Sequence, residues 1–154
     1  GKRGDSVHGA PWARDLSLDL DVIAGWGARS VITLVEPHEL HTLGVPQLGE
    51  AVRARSMAWH HLPIPDLQAP GAAFAALAAQ PMRQAIESLK AGHKVLVHCR
   101  GGLGRAGTIA ASLLIELGDE AGIALQRVRK ARPGAVETSV QERYLRTYQR
   151  WVNT

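Results

Sequence analysis

The sequence predicts an α/β fold in which several helices flank a small central sheet whose strands are mostly parallel. Three observations lead to this prediction. A β-branched run at residues 30–35 is typical of a buried strand. A second apolar run, at residues 94–98, is followed directly by a glycine-rich loop and then by a helical pattern. Elsewhere along the chain, strand patterns are mixed with helical ones, as in α/β domains.

Periodicity and chain breakers place the remaining elements. Helices are predicted over residues 15–24, 37–43, 72–79, 81–90, 105–117, 120–131 and 138–152. A further strand is predicted over residues 57–64, where Pro63 and Pro65 close it. Residues 1–14 are polar and glycine-rich and are expected to form an arm or loop. Residues 15–154 are then expected to form a single domain.

Composition narrows the range of functions. A net charge of +4 favours acidic partners such as phosphorylated substrates, and the low aromatic content of 5% argues against nucleic-acid binding. No apolar run approaches the roughly 18 residues that a membrane span needs. The chain has 1 cysteine, which excludes an internal disulfide and favours a reducing compartment. We therefore expect a cytoplasmic protein without a membrane span.

The most informative stretch runs from residue 95 to residue 108, where a strand meets a helix. Cys99 lies at the junction of strand and loop, and Arg105 stands where the helix should begin. Three glycines between residues 101 and 104 allow successive backbone N–H groups to face one centre. The positive end of the helix dipole points to the same centre. The stretch therefore predicts an oxyanion site beside a cysteine.

Cys99 and Arg105 give this site a chemistry. The guanidinium of Arg105 is a planar fork of donors that fits two oxygens of a phosphate. A thiol near a helix N-terminus and a cation ionises more readily than a free cysteine, and the thiolate is the nucleophilic form. The alternative is an inert buried cysteine at a strand end. The glycines and Arg105 favour the nucleophile, and we expect the loop to bind phosphate, sulfate or vanadate.

The motif His98-Cys99, five residues and then Arg105, with Gly107-Thr108 after it, resembles the signature loop of the cysteine-dependent protein tyrosine phosphatases. The match is closest to the dual-specificity branch, in the group similar to cyclin-dependent kinase inhibitor 3, and it extends over about residues 15–151. The resemblance implies a protein tyrosine phosphatase-like fold and hydrolysis of phosphate monoesters through a phosphocysteine intermediate, without a metal or cofactor. The implied partner is a phosphorylated protein, carrying phosphotyrosine or phosphoserine and phosphothreonine, or a small phosphorylated molecule.

The resemblance also implies roles for individual residues. Cys99 would be the nucleophile, and Arg105 would hold the phosphoryl oxygens. Asp66, on a proline-bounded loop upstream of Cys99, would be the general acid that protonates the leaving oxygen. The alternative for Asp66 is a solvated turn residue. Gln141 would position the hydrolytic water, the alternative being a plain surface residue. The predicted substrate-binding residues are Arg100, Gly101, Gly102, Leu103, Gly104 and Arg105.

The sequence departs from the family pattern at Ala106. A serine or threonine normally follows the arginine, and its hydroxyl assists the thiolate and the departure of sulfur. Either Thr108 substitutes in part for this hydroxyl, or the second step of the reaction is slow. Two other readings of the same fold follow from the loop. Arg100 adds a cation that would suit inositol phosphates or phosphoinositides, and Ala106 leaves room for a non-enzymatic domain that binds phosphoproteins.

Three unrelated kinds of site fit the residues less well. A dinucleotide site matches the spacing of the glycines, but a second helix follows where that site needs a strand. A rhodanese-type sulfurtransferase has a shorter loop and does not account for Asp66. A metal site could be drawn from His60, His61, His98 and Cys99. It is weakened because adjacent residues of a strand point to opposite faces, so only one of His60 and His61 could reach a shared centre.

Overall fold

A computed structural model describes residues 19–101 and 103–151. The predicted arm at residues 1–14, the first residues of the first predicted helix and Gly102 lie outside the described residues.

The centre of the fold is a sheet of three strands: β1 (Ala28–Thr33), β2 (Ala58–His61) and β3 (Lys94–His98). The strand order is β2-β1-β3, and β1 pairs in parallel with both neighbours. The predicted small parallel sheet is thus confirmed. Thr33 lies opposite His61 on one side and His98 on the other. The carboxyl ends of the three strands therefore meet at one edge, where ligands bind in open parallel sheets.

Helices cover both faces of this sheet. Helix α1 is described over residues 19–26. The other helices are α2 (Pro37–Thr42), α3 (Leu48–Arg53), α4 (Ala72–Lys90), α5 (Gly104–Glu116), α6 (Ala121–Ala131) and α7 (Ser139–Arg146). Within the described residues, no helix is both long enough and apolar enough to cross a membrane.

The alternation of side chains along β1 separates two hydrophobic clusters. Val31 packs with the apolar residues of α1, α2 and α3, whereas Ile32 packs with α4 and α5. A third cluster joins α5 to α6 and α7 on the outer side of the domain. Helix α5, which begins at the glycine-rich loop, is therefore packed on both sides, and this burial fixes the direction in which its N-terminus points.

Several boundaries differ from the predicted ones. The predictions of separate helices over 72–79 and 81–90 were wrong, because α4 continues through Pro81. Its buried face repeats at Phe74, Ala78, Met82 and Ile86, so packing offsets the roughly 3 kcal/mol that an internal proline costs. Helix α3 was not predicted. Strand β2 is shorter than residues 57–64.

Helix α7 ends at Arg146 instead of reaching residue 152. The backbone leaves the helix so that two donors reach one buried carboxylate. The hydroxyl of Tyr148 and the backbone N–H of Trp151 both donate to Oε2 of Glu116, at 2.8 and 2.6 Å. Helical periodicity alone does not reveal such a contact between distant segments.

Candidate active site

Cys99 follows β3 directly and lies at the amino end of α5. Its Sγ accepts a hydrogen bond from the backbone N–H of Ala106 at 3.3 Å, and it lies 3.6 Å from the carbonyl oxygen of Arg100. The N-cap of α5 is Leu103, and no side chain among the described residues caps the helix. Since the first N–H groups of a helix need acceptors, α5 offers free donors beside the sulfur of Cys99. Cys99 itself is partly exposed.

The glycines of the loop serve different purposes. Gly101 has φ +82°, in the left-handed region that favours glycine. Gly104 has a helical backbone, and glycine is required there because a side chain would have no room. A Cβ atom at Gly104 would collide with the carboxylate of Glu137 and would lie 3.1 Å from Nε2 of Gln141. The loop can therefore curl at one glycine and contact a distant segment at the other.

Arg105 is fixed by a residue that the sequence analysis did not identify. Its Nη1 and Nη2 donate to the two carboxylate oxygens of Glu39 at 2.8 and 2.9 Å. Nη1 also donates to the carbonyl oxygen of Ile64 at 2.9 Å. Only 1% of the Arg105 side chain is exposed. The guanidinium is thus held by a bidentate ion pair below the loop.

The N–H groups of Arg105 that are not bonded to Glu39 or Ile64 indicate what its guanidinium can bind. Both hydrogens of Nη1 are used, and Nη2 gives one hydrogen to Glu39. Nε makes no hydrogen bond to any residue in the part of the chain that the structure describes. Nε and the second hydrogen of Nη2 lie on one edge of the guanidinium, and such an edge fits two oxygens of a phosphate.

Glu39 has little signature of this role in the sequence. It lies at the third position of α2, where its side chain also accepts from the backbone N–H of Glu36 at 2.9 Å, as in an ordinary capping box. The hydrogen bonds from Arg105 lower the pKa of Glu39, although burial opposes this shift. Glu39 therefore stays ionised near neutral pH, where its carboxylate orients Arg105.

Asp66 lies on the loop between β2 and α4, and the structure brings it to the same site. Its Oδ1 is 3.5 Å from Nη2 of Arg105 and accepts from the backbone N–H of Leu67 at 2.9 Å. The Asp66 side chain is 64% exposed. Cys99, the predicted nucleophile, and Asp66, the predicted general acid, thus both lie near Arg105.

Gln141 is also brought to the site, but not at the surface. It is 0% exposed and lies on the first turn of α7, against Gly104. Its Oε1 accepts from the backbone N–H groups of Glu137 and Thr138, at 2.9 and 3.2 Å. The alternative of a plain surface residue is therefore wrong, while the positioning of water stays a prediction.

His98 is the last residue of β3 and directly precedes Cys99. Nε1 of Trp59 donates to the hydroxyl of Thr33 at 2.8 Å, and this hydroxyl lies 2.6 Å from Nε2 of His98. Among the described residues the hydroxyl hydrogen has no other acceptor, so it points at Nε2, and the proton of His98 belongs on Nδ1. Burial, with a smaller contribution from His61, lowers the pKa of His98 to about 4. The ring is neutral near pH 7, so it links β3 to Thr33 of β1 without adding charge beside Cys99.

At Ala106, no hydroxyl of the residues that the structure describes replaces the one that the family pattern has. The hydroxyl of Thr108 donates to the carbonyl oxygen of Gly104 at 2.8 Å, so the expected partial substitution by Thr108 was wrong. The sulfur of Cys99 instead receives the backbone N–H of Ala106.

The other predicted loop residues take different positions. Arg100 is exposed, and its side chain makes no hydrogen bond or ion pair to the described residues, so it is available at the rim. Leu103 contributes its carbonyl oxygen, which accepts from the backbone N–H of Val136 at 2.9 Å.

One cluster within the described ranges brings three potential metal ligands together: Glu36, His38 and Glu39, whose donor atoms lie within 4.8 Å of one another. Both carboxylate oxygens of Glu39 already accept from Arg105. A cation at this cluster would compete with that ion pair, so the donor set does not fit a resident metal.

Comparison with known proteins places this geometry in a family. Residues 14–145 match the family described as PTP-SAK: Swiss Army Knife protein, DSP-PTPase phosphatase domain. Cyclin-dependent kinase inhibitor 3 of Rattus norvegicus is 31% identical over 140 residues, which cover 88% of this chain and 64% of that protein. The chain thus spans somewhat less than two thirds of the length of this curated relative.

Solved structures agree with the match. The active form of Tk-PTP is 37% identical, with a TM-score of 0.70 over 84% of this chain and 82% of that chain. Kinase associated phosphatase with its catalytic cysteine replaced by serine is 30% identical, with a TM-score of 0.74 over 84% of this chain and 72% of that chain. The protein belongs to the DSP-PTPase phosphatase domains of the Swiss Army Knife family, and the predicted dual-specificity resemblance is confirmed.

Proposed function

We propose that this domain hydrolyses phosphate monoesters, with Cys99 as the nucleophile. The observation that carries the proposal is that three features lie together: the sulfur of Cys99, the amino end of α5, and the Nε–Nη2 edge of Arg105, which keeps donors without a hydrogen-bond acceptor among the described residues. A phosphoryl group bound to that edge and to the loop N–H groups would lie within reach of the sulfur.

In the first step the thiolate of Cys99 attacks phosphorus. The Sγ–P bond forms while the bond from phosphorus to the leaving oxygen breaks, and Asp66 gives its proton to that oxygen. The exposure of Asp66 and its distance of 3.5 Å from Nη2 of Arg105 support this role for its carboxyl. The product of this step is a phosphocysteine, together with the free alcohol or phenol.

In the second step water attacks the phosphocysteine. The Asp66 carboxylate takes a proton from the water, a new P–O bond forms, and the Sγ–P bond breaks to restore the thiolate and release inorganic phosphate. Developing negative charge on the equatorial oxygens is stabilised throughout by Arg105 and the loop N–H groups. No step needs a metal or cofactor.

Turnover of a phosphotyrosine peptide tests the proposal. The wild-type protein should release phosphate, Cys99→Ser should abolish release, and acid quenching of the wild type during turnover should trap phosphate on the protein. A Cys99→Ser variant as active as the wild type would overturn the proposal. If the wild type binds the peptide tightly without turnover, the domain is a phosphoprotein-binding relative instead.

Arg100 favours a second class of substrate. It is an exposed cation on the loop with no partner among the described side chains, and a second phosphate on the substrate would provide one. Inositol phosphates and phosphoinositides have such neighbouring phosphates. Rates on a panel of phosphopeptides and inositol phosphates separate the two classes, and Arg100→Gln should lower kcat/KM only for substrates with more than one phosphate.

A further inference from the structure

The segment at residues 136–141, called the bridge segment below, contacts both loops of the site. Toward the Cys99 loop, the backbone N–H of Val136 donates to the carbonyl oxygen of Leu103, and Gln141 packs against Gly104. Toward the Asp66 loop, the side chains of Thr138 and Gln141 donate to backbone carbonyl groups. The proposed nucleophile and the proposed acid are therefore joined through a third element.

Thr138 makes one of these contacts. Its hydroxyl caps α7 by accepting from the backbone N–H of Gln141 at 3.2 Å. The same hydroxyl donates to the carbonyl oxygen of Leu67, the residue after Asp66, at 3.1 Å. A hydroxyl can do both at once, because it has one hydrogen to donate and two lone pairs to accept with. Thr138 is thus more than a helix cap.

Gln141 makes the second contact. Its Nε2 donates to the carbonyl oxygen of Gln68 at 3.0 Å. Because Oε1 already accepts from two backbone N–H groups of the bridge segment, the carboxamide cannot turn over without losing three hydrogen bonds. The buried amide is therefore oriented with its nitrogen toward the Asp66 loop, and this orientation is set by the bridge segment itself.

The Asp66 loop has few internal constraints of its own. Leu67 has φ +66° and an exposed side chain, an unusual backbone conformation for a residue other than glycine. Within the loop, the backbone N–H of Gln68 donates to the carbonyl oxygen of Pro65 at 3.1 Å. Since strained conformations persist only where surrounding contacts hold them, the hydrogen bonds from the bridge segment are placed where the loop needs them.

We propose that Thr138 and Gln141 are positioning residues that hold the Asp66 loop against the site, so that Asp66 reaches the leaving oxygen. This inference rests on the proposed function and gives Gln141 a role distinct from the positioning of water. Loss of either hydrogen bond impairs protonation of the leaving group and leaves the binding of the oxyanion intact. The first step of the reaction therefore becomes sensitive to the leaving group.

A series of aryl phosphates with phenols of increasing pKa measures this sensitivity through kcat/KM. Thr138→Asp keeps an acceptor for the cap of α7 but, when ionised, cannot donate to Leu67. Thr138→Ser keeps both hydrogen bonds, and Gln141→Met fills the same space without either polar group. Thr147→Val, at the other end of α7, is the matched control, because within the described part of the chain the Thr147 hydroxyl donates to the carbonyl oxygen of Arg143 and not to the Asp66 loop.

We expect Thr138→Asp and Gln141→Met to lower kcat/KM about 10-fold or more for phenols of high pKa, and less than about threefold for phenols of low pKa. Thr138→Ser and Thr147→Val should follow the wild-type dependence. Vanadate binding should persist in every variant that shows the effect, because the oxyanion site is retained. A loss of kcat/KM that the added charge at residue 138 caused for all substrates alike would leave the slope unchanged, so the slope against leaving-group pKa isolates the effect on protonation.

Two results would overturn the inference. One is a Thr138→Asp variant with the wild-type slope. The other is a Gln141→Met variant whose kcat falls while kcat/KM and its slope stay unchanged, with phosphoenzyme accumulating, since this identifies a defect in the hydrolytic step. Thr138→Asp decides the question even if Gln141→Met fails to fold. Failure of the proposed function is distinct, because the wild type itself would then show no turnover dependent on Cys99.

Discussion

The two loops that make up the site are held in different ways. The Cys99 loop is bounded by β3 and α5, and its arginine is 1% exposed and paired with both oxygens of Glu39. The Asp66 loop has an acid that is 64% exposed, and its backbone is joined to the bridge segment by two side-chain hydrogen bonds. The arginine of one loop is anchored in the core, whereas the other loop has an exposed acid and is held by side chains of the bridge segment.

This difference matches what each loop has to do. Stabilising a transition state by electrostatics needs donors that are already fixed, because reorganisation at the moment of reaction costs energy. A group that gives up a proton and takes one back needs access to the leaving oxygen and then to water. The comparison therefore predicts that changes at the Asp66 loop affect proton transfer alone, while changes at the Cys99 loop affect both binding and stability.

The largest effect is expected for Asp66→Asn. The amide cannot donate a proton as a carboxylic acid does, so kcat/KM for aryl phosphates with poor leaving groups should fall by about 10² to 10⁴. Vanadate affinity, measured by competition, should stay close to that of the wild type. If vanadate binding fell as steeply as turnover, the separation of the two loops would be wrong.

The next effect is expected for Glu39→Ala, which breaks the anchored loop. Removing one partner of a buried ion pair costs about 3–5 kcal/mol, because the remaining charge is left without compensation. Chemical denaturation should show this loss of stability, and vanadate binding should weaken since Arg105 is no longer oriented.

The matched control is Asp119→Ala, which removes the partner of Arg127 in a surface ion pair of 2.8 Å. Exposed pairs contribute about 0–1 kcal/mol, so this variant should unfold nearly as the wild type does. Equal losses in Glu39→Ala and Asp119→Ala would contradict the assignment of Glu39 as an anchor.

A smaller effect is expected when acid protonates His98, the residue before Cys99. The pKa of His98 is about 4 in the folded protein, against about 6.5 for an unperturbed histidine. Between these values the unfolded state binds more protons, so stability is full above pH 6.5 and falls as the pH decreases toward 4. Because the His98 side chain is partly exposed to solvent, we expect the free energy of unfolding to fall by about 2–3 kcal/mol over this range.

Denaturation of the wild type and of His98→Gln at pH 7 and at pH 4.5 measures this effect. The wild type should lose more stability on acidification than the variant, which has no group to protonate there. Identical pH dependence in the two proteins would show that His98 is not the group concerned.

The smallest effect is expected for Ala106→Ser, which sharpens the anchored loop instead of breaking it. The backbone N–H of Ala106 already donates to the sulfur of Cys99 at 3.3 Å, and a hydroxyl would add a second donor as the sulfur departs. We expect phosphoenzyme breakdown to become several-fold faster, a change on the order of 1 kcal/mol. Rapid-quench kinetics measure it, and an unchanged or slower second step would count against this expectation.

Much of the fold followed from local patterns. The β-branched run of β1 and the apolar run of β3 predicted two strands, because burial on both faces selects such residues, and the third strand, β2, lies within the predicted residues 57–64. The break of α4 at Pro81 was wrong, since the packing of Phe74 and Met82 outweighs the local cost of proline. Local propensity has no information about which neighbours a helix will meet.

The candidate site divides in the same way. By itself the sequence determined the spacing of Cys99 and Arg105 around a loop with glycine at Gly101, because these requirements are local to one strand–loop–helix unit. Only the tertiary structure decided that Glu39 anchors Arg105 and that Thr138 and Gln141 hold the Asp66 loop. Those contacts join segments about 66 to 73 residues apart. Such pairings depend on how the helices pack around the sheet, and no periodicity within either segment specifies them.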